Sequence, residues 1–272
     1  MIVFPNCKIN LGLHILHKRA DGFHDLETVF YPVALYDALE IVQSHSPEAD
    51  IKFSSSGLEI PSTSEQNSCV KAYRLLKKDI PGLPTIKMHL HKAIPSGAGL
   101  GGGSSDCAFT LALLNKKFKL ELSQDRLLNY ALQLGSDCPF FIKDQPCYAT
   151  GRGEIMEELE LNLTGYKIVL VNPKIHIDTA QAFSKIIPDK KRTSIKDIIK
   201  KPAAQWRDVL KNDFEEIIFD EHPQIREIKQ KLYEQGAVYA SMSGSGSTVY
   251  GLFELNAEPE LDFPAHYYIN IV

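Results

Sequence analysis

Pro95-Ser96-Gly97-Ala98-Gly99-Leu100-Gly101-Gly102-Gly103-Ser104-Ser105-Asp106 is the stretch on which the reading of this chain turns. Five of its residues are glycine, and a helix-patterned segment follows without a break. Glycine admits positive φ and leaves space where a Cβ would stand, so the backbone can close around a ligand. Free N–H groups at the start of a helix, backed by the positive end of its dipole, attract anions. A solvated surface loop would be polar throughout, whereas this one carries Ala98 and Leu100 and runs straight into helix. The stretch therefore reads as a phosphate cradle.

No Lys-Ser or Lys-Thr pair follows the last glycine, which excludes a Walker A loop. Gly97, Gly99 and Gly102 satisfy G-x-G-x-x-G, and Glu121 lies near the distance of a ribose carboxylate. A dinucleotide-binding oxidoreductase therefore stays open as an alternative. Its context is wrong, because such a loop follows tightly on a strand buried on both faces. Here the preceding strand alternates, with Ile86, Met88 and Leu90 on one face and Lys87, His89 and His91 on the other. That is the pattern of a sheet with one wet face. Lys92-Ala93-Ile94-Pro95 then separates strand from loop. The hydroxyls of Ser104 and Ser105 suit a Mg²⁺-nucleotide, and one of them is expected to cap the helix.

Outward from the loop, Lys8–Leu16 alternates as a strand, with Ile9, Leu11, Leu13 and Ile15 on one face. Strands are expected around Leu26–Val33, Ala38–Val42, Tyr166–Val171, Ala237–Met242, Thr248–Phe253 and Tyr267–Val272, with a loop over Ser54–Ser64. Helices are expected over Asn67–Lys78, after the glycine loop, after Ser123 and around Ile225–Leu232. Ala108, Leu111, Ala112 and Asn115 stripe the post-loop helix, and Gly135 closes the next one as a C′ glycine. The class is α+β. A length of 272 residues predicts two domains, and the order of elements restarts near residues 157–164, giving 1–158 and 159–272.

A net charge of −4 argues against a nucleic-acid partner, so the basic run Lys190, Lys191, Arg192, Lys196, Lys200 and Lys201 reads as a solvated helix face. Five cysteines without a C-x-x-C pair read as reduced thiols in a cytoplasmic protein. Among them, Cys107 and Cys138 are expected to be packing residues. No apolar run is long enough to span a membrane, and no leader segment is expected before the first strand.

Lys8 alone would read as a surface lysine on an amphipathic strand. Asp137, in Leu134-Gly135-Ser136-Asp137-Cys138-Pro139-Phe140-Phe141, would read as a helix cap. Its apolar flanks make it a carboxylate in want of a partner, and a lysine would serve. Such a pair can orient a hydroxyl and take its proton during phosphoryl transfer. Phe23, His24 and Phe183 offer rings for stacking, with core packing as the plainer reading of each phenylalanine.

Three separated motifs combine into a resemblance. Pro5-Asn6-Cys7-Lys8-Ile9-Asn10-Leu11, the loop Pro95–Asp106, and Ser241-Met242-Ser243-Gly244-Ser245-Gly246-Ser247 resemble motifs one, two and three of the GHMP kinases. Within that superfamily, Lys18-Arg19-Ala20-Asp21-Gly22-Phe23-His24-Asp25-Leu26-Glu27-Thr28 is similar to the 4-diphosphocytidyl-2-C-methyl-D-erythritol kinase branch. So are Gly151-Arg152-Gly153-Glu154 and Asn212-Asp213-Phe214-Glu215. The resemblance implies ATP-dependent phosphorylation of the 2-hydroxyl of that cytidyl diphospho-alcohol, with ATP and Mg²⁺ as cofactors. It implies an N-terminal domain like ribosomal protein S5 domain 2 and a ferredoxin-like C-terminal domain. It matches Lys8 and Asp137 to the catalytic pair. Gly97, Gly99, Gly101, Gly102, Gly103, Ser104 and Ser105 match the triphosphate loop, and Asn67 and Lys92 match positions near adenine. Asn10, Phe23, His24, Thr179 and Phe183 match the cytidyl site, where the two phenylalanine rings would sandwich cytosine and His24 would read its edge. Two positions depart from the branch: Phe23 replaces a common tyrosine, and Cys7 replaces a small alanine, so sensitivity to thiol reagents is expected.

Overall fold

Side-chain periodicity sets most element boundaries in the structure, a computed structural model that describes residues 1–44, 50–61 and 63–272. The first half of the chain forms β1 (Ile2–Val3), β2 (Asn6–Lys18), β3 (His24–Tyr36), β4 (Ala38–Gln43), β5 (Ile51–Gly57), α1 (Ser68–Asp79), β6 (Ile86–Lys92), α2 (Gly102–Phe118), α3 (Gln124–Leu134) and α4 (Cys138–Lys143). The rest forms β7 (Cys147–Gly151), β8 (Ile155–Glu158), β9 (Tyr166–Asn172), α5 (Thr179–Lys185), α6 (Ile195–Ile198), α7 (Phe214–Glu221), α8 (Pro223–Glu234), β10 (Tyr239–Met242), β11 (Val249–Glu254) and β12 (Tyr268–Ile271).

By contact the chain divides into two compact units that interleave in sequence. The first holds Met1–Cys7, Ala34–Ser96 and Gly101–Asp144; the second holds Lys8–Val33, Gly97–Leu100 and Gln145–Val272. The division at residues 158 and 159 expected from element order is a different kind of boundary, one between domains of sequence, and is taken up below as a proposal.

In the first unit the sheet order is β1-β4-β6-β5. β4 runs antiparallel to β6, and β5 runs parallel to it. The alternation of β6 buries Ile86, Met88 and Leu90 together with Leu39 and Ile41 of β4. Helices α1, α2 and α3 cover that face with Cys69, Ala72, Tyr73, Leu76, Leu111, Leu114, Leu127 and Ala131. Cys107 and Cys138 lie in the same core. Ala112, expected on the buried stripe of α2, is exposed, and Leu113 is buried instead. Asn67 caps α1 by accepting the Cys69 N–H, and Ser123 caps α3 by accepting the Arg126 N–H. Gly135 ends α3 in extended backbone, φ 169°, rather than in the left-handed form. The dinucleotide alternative required a doubly wound parallel sheet. The glycine loop instead follows a strand with one antiparallel and one parallel neighbour.

The strand β5 overturns the loop expected from Ser54. Ser54, Ser55 and Ser56 have low strand propensity, yet Ile51–Gly57 pairs in register with Ile86–Lys92. The wet face of β6 supplies the partners: His89 Nδ1 lies 2.8 Å from Ser54 Oγ, and His91 Nδ1 lies 2.9 Å from Ser56 Oγ. Ser64 falls in a short 3₁₀ turn.

The second unit contains two four-stranded sheets, β2-β3-β7-β8 and β10-β11-β9-β12. Leu13, Ile15 and Leu26 share one core with Val169, Val171, Ile225, Ile228, Leu232 and Met242. β2 is buried from Asn6 to Ile15, on both faces. Its polar row therefore does not meet water, and the surface-lysine reading of Lys8 fails. The segment after residue 210 ties β2 down: the Leu13 N–H donates to the Lys211 carbonyl, and the Asp213 N–H donates to the Leu13 carbonyl, both at 2.9 Å. Arg192, expected to be solvated, instead forks onto the Asp213 carboxylate.

Asn212 joins this anchor to the third motif. Its Nδ2 donates to the carbonyls of Met242 and Gly244, both at 2.8 Å, and its Oδ1 accepts the Phe214 N–H at 3.0 Å. Asn212→Ala abandons two buried carbonyls and one N–H. Urea unfolding should show a loss of about 1–3 kcal/mol, and an unchanged midpoint would mean that water replaces the amide at no cost.

Candidate functional site

In the second unit, β2 presents Lys8 and Asn10 on one face because side chains two apart on a strand point the same way. Lys8 is only 3% exposed. Its ammonium donates to Asn10 Oδ1 and, at 3.1 Å, to the Gly99 carbonyl. The same carbonyl accepts the Ser243 hydroxyl at 2.8 Å. Ser243 Oγ also accepts the Asn10 N–H at 3.2 Å, and the Lys8 N–H donates to Leu100 O at 3.0 Å. Asn10 is fixed further: its amide donates to Thr28 Oγ1 at 3.0 Å, and its carbonyl accepts the Tyr250 hydroxyl at 2.9 Å. The ring of Phe30 lies 5.1 Å below the Lys8 ammonium, adding a cation–π contact. Motifs one, two and three thus meet at one carbonyl oxygen.

The need for glycine at position 99 is steric as well as torsional. Its φ is +79°, and a Cβ there would stand 1.9 Å from the Ser243 carbonyl oxygen. At Gly97, φ is +64° but the nearest obstacle to a Cβ is His176 Nδ1 at 3.8 Å.

The expected cytidyl-site residues also lie in this unit, differently paired. His24, rather than a base, stacks on Phe183, with ring centroids 5.2 Å apart and planes 18° apart. Phe23 is 48% exposed and carries the Arg152 guanidinium 3.8 Å from its ring centre. Each of the two phenylalanine rings therefore has another neighbour, His24 for Phe183 and Arg152 for Phe23. Burial, with Lys18 and His17 nearby, lowers the pKa of His24, so its imidazole is neutral at pH 7. Thr179 opens α5, and its hydroxyl lies 2.8 Å from Ser245 Oγ of the third motif.

In the first unit the glycine loop enters α2. Gly101, with φ 70°, stands before the helix, which begins at Gly102, and no side chain caps it. Ser104 and Ser105 therefore lie inside the first turn, and the capping role expected for one of them is not realised. Ser105 Oγ is buried and without a hydrogen-bond partner among the described residues. Gly103 is exposed, and a Cβ on it would lie 3.4 Å from Ser68 Oγ at the start of α1. Asn67, matched to the adenine neighbourhood, spends its Oδ1 on the α1 cap.

Lys92 is committed elsewhere. Its ammonium donates to Asp37 Oδ2 and, at 2.8 Å, to Asp106 Oδ2, with all three side chains buried. Burial pushes the Asp106 carboxyl up to about 7; Lys92 opposes the shift and the Asp37 charge adds to it. Asp37 and Asp106 escaped the sequence reading. Strand parity held one clue: Lys92 shares the buried face of β6 with Ile86, Met88 and Leu90, and a lysine there demands carboxylates.

Asp137, also in the first unit, is half-buried at the start of α4. Its backbone is helical, φ −84° and ψ −16°, and its side chain makes no capping bond. The plain capping reading therefore fails. Ser136 Oγ donates to Asp137 Oδ1 at 3.4 Å. Cys7 is fully buried, so the expected reactivity of its thiol toward reagents finds no open path.

Comparison with known proteins places these features. Residues 67–145 match the model of the GHMP kinases N terminal domain, and residues 194–263 match that of the GHMP kinases C terminal domain. The 4-diphosphocytidyl-2-C-methyl-D-erythritol kinase of Bacteroides thetaiotaomicron is 56% identical over 266 residues, 97% of this chain and 96% of that protein. Its Bacteroides fragilis counterpart is 50% identical over 97% of each chain. A crystal structure of 4-(cytidine 5'-diphospho)-2C-methyl-D-erythritol kinase aligns with a TM-score of 0.80 at 30% identity, covering 93% of this chain and 90% of that one. The Methanococcus jannaschii mevalonate kinase aligns with a TM-score of 0.70 at 15% identity, covering 94% of this chain and 92% of that one, a likeness of fold.

Gly97 and Gly99 provide an internal control. Gly97→Ala should cost roughly 1–2 kcal/mol of left-handed strain, a small drop in melting temperature. Gly99→Ala meets the same strain and a backbone collision, so its melting temperature should fall several times further. Equal shifts for the two variants would show that the contact with Ser243 does not shape the loop.

Proposed function

The chain belongs to the GHMP kinase family, and we propose that it transfers the terminal phosphoryl group of ATP to the 2-hydroxyl of 4-diphosphocytidyl-2-C-methyl-D-erythritol, a step of non-mevalonate isoprenoid precursor synthesis. The relatives named above support the reaction. The observation that carries the reading on to this chain's own residues is the meeting of Lys8, Gly99 and Ser243 at one carbonyl, since it unites the three motifs on which phosphoryl transfer rests.

Asp137 accepts the proton of the attacking hydroxyl as its oxygen bonds to phosphorus and the bond to the ADP oxygen breaks. Lys8 supplies positive charge that offsets charge developing on the phosphoryl oxygens. The amides of Gly97, Gly99, Gly101, Gly102 and Gly103 and the hydroxyls of Ser104 and Ser105 hold the triphosphate at the start of α2. Mg²⁺ bound with ATP would offset phosphate charge. The Ser105 hydroxyl, which has no hydrogen-bond partner among the described residues, is an oxygen suited to hold that ion. Asn67 lies near adenine. Asn10 and Thr179 bind the cytidyl alcohol, Phe23 and Phe183 stack on its base, and neutral His24 reads the base edge. Stacking of this kind is worth roughly 1–3 kcal/mol per base.

Residues 1–158 and 159–272 form the two domains of sequence. Five reduced, buried cysteines support a cytoplasmic setting. No helix among the described residues is long and apolar enough to cross a membrane.

A coupled ADP-release assay with Mg-ATP tests the reading, run with the cytidyl alcohol beside mevalonate, homoserine and galactose. Turnover is expected with the cytidyl alcohol alone; activity on another alcohol would discard the cytosine site and keep the phosphate loop. Asp137→Asn should lower turnover by roughly 10²–10⁴-fold while ATP affinity holds. Undiminished turnover would remove Asp137 from the chemistry.

A further inference from the structure

The two stems of the glycine loop are joined beneath it by buried charge. The entering stem is Ala93–Ser96, following β6; the exiting stem is the first turn of α2. Asp37 Oδ1 accepts the N–H groups of Ala93 and Ile94, at 2.6 and 2.9 Å. Asp37 is itself held, because its N–H donates to the Pro5 carbonyl at 2.8 Å. Lys92 carries the connection from Asp37 to Asp106 on α2. The Asp106 carbonyl is fixed in turn by the Thr110 hydroxyl at 2.7 Å and the Cys69 thiol at 3.7 Å.

From this geometry we propose that Asp37, Lys92 and Asp106 form a clamp that sets the spacing of the loop's two stems, making all three positioning residues for the phosphates of ATP. The proposal rests on the reading that this loop binds ATP. It gives Lys92 a different task from the adenine contact that the resemblance implied.

Two further observations support it. First, replacing buried ion pairs with apolar groups of similar volume is often neutral or stabilising, so stability alone is a weak reason to keep three such groups in a core. A requirement for fixed backbone geometry is a stronger one, since a misplacement of about 1 Å near reacting groups can cost about 10²-fold in rate. Second, Gly102 is shaped by the clamp. A Cβ there would stand 2.9 Å from Ile94 Cγ2 and 3.3 Å from Lys92 Nζ. The glycine at the start of α2 thus lets the helix settle against the entering stem, beyond any closeness to phosphate.

The test separates positioning from plain stability. Binding of a non-hydrolysable ATP analogue with Mg²⁺ is measured by calorimetry for the wild type, Asp106→Leu and Asp106→Asn, beside steady-state kinetics with both substrates. Asp106→Leu should raise the analogue Kd and the KM for ATP by about tenfold, with the KM for the cytidyl alcohol nearly unmoved. Asp106→Asn keeps an acceptor for Lys92 and should restore most of the affinity. Unchanged ATP affinity in Asp106→Leu, equal rises in both KM values, or an Asn variant as impaired as the Leu variant would each overturn the clamp.

Should Asp106→Leu not fold, Gly102→Ala pushes on the clamp without removing a charge. A selective rise in the KM for ATP supports the proposal, and an unchanged KM overturns it. Wild-type protein that fails to bind the analogue would overturn the functional reading itself. Wild type that binds while the variants match it overturns the clamp alone.

Discussion

The carbonyl oxygen of Gly99 is the point on which the second unit's share of the site depends. It takes a hydrogen bond from an ammonium 91 residues away and one from a hydroxyl 144 residues away. A hydrogen bond to a charged group contributes about 1.5–3 kcal/mol and a neutral one about 1 kcal/mol, so the pair can outweigh the entropy lost in ordering one glycine. The consequence is geometric. Because Lys8 and Asn10 sit on a strand buried on both faces, the carbonyl is held against a rigid platform.

Charge burial distinguishes the two lysines. The contacts of Lys8 include dipoles: an amide oxygen, a carbonyl and an aromatic ring. Lys92 faces two carboxylates, which cancel its field. Buried charges paired in this way are poor anion binders and good struts. Burial raises the Asp106 carboxyl, and one ammonium does not fully satisfy two carboxylates removed from water.

Local signals carried much of the fold into the sequence. Alternation over Lys8–Leu16 and Ile86–Leu90 lies within β2 and β6, and the stripe from Cys69 to Leu76 lies within α1. What escaped depended on distant partners. β5 is unreadable from Ser54-Ser55-Ser56 because two of its hydroxyls are matched by His89 and His91, more than thirty residues on. Asp37 and Asp106 lie 55 and 14 residues from the lysine that joins them, and only the parity of Lys92 hinted at the arrangement. Ring pairing was equally out of reach: the nearness of His24 to Phe183 and of Arg152 to Phe23 follows from tertiary placement, whereas the sequence marked only that these residues bear rings or charge.

The two positions at which the resemblance implies another residue, alanine at 7 and tyrosine at 23, can be weighed by what surrounds them. At position 7, strand parity sends the thiol away from Lys8 into the apolar face with Ile9 and Leu11, and it is fully buried there. Sulfur is a small hydrophobe in such a place, so the exchange of alanine for cysteine is a packing change that leaves the ammonium's contacts alone. At position 23 the exchange is chemical. A phenylalanine ring loses a hydroxyl, and the Arg152 guanidinium lies over its face, held in the hairpin turn where the Arg152 N–H donates to Glu154 at 2.6 Å. Guanidinium stacking needs only the ring's π-face, not its hydroxyl, so the contact is indifferent to the lost oxygen. A planar cation beside an exposed ring also offers hydrogen bonds to an anionic or carbonyl oxygen.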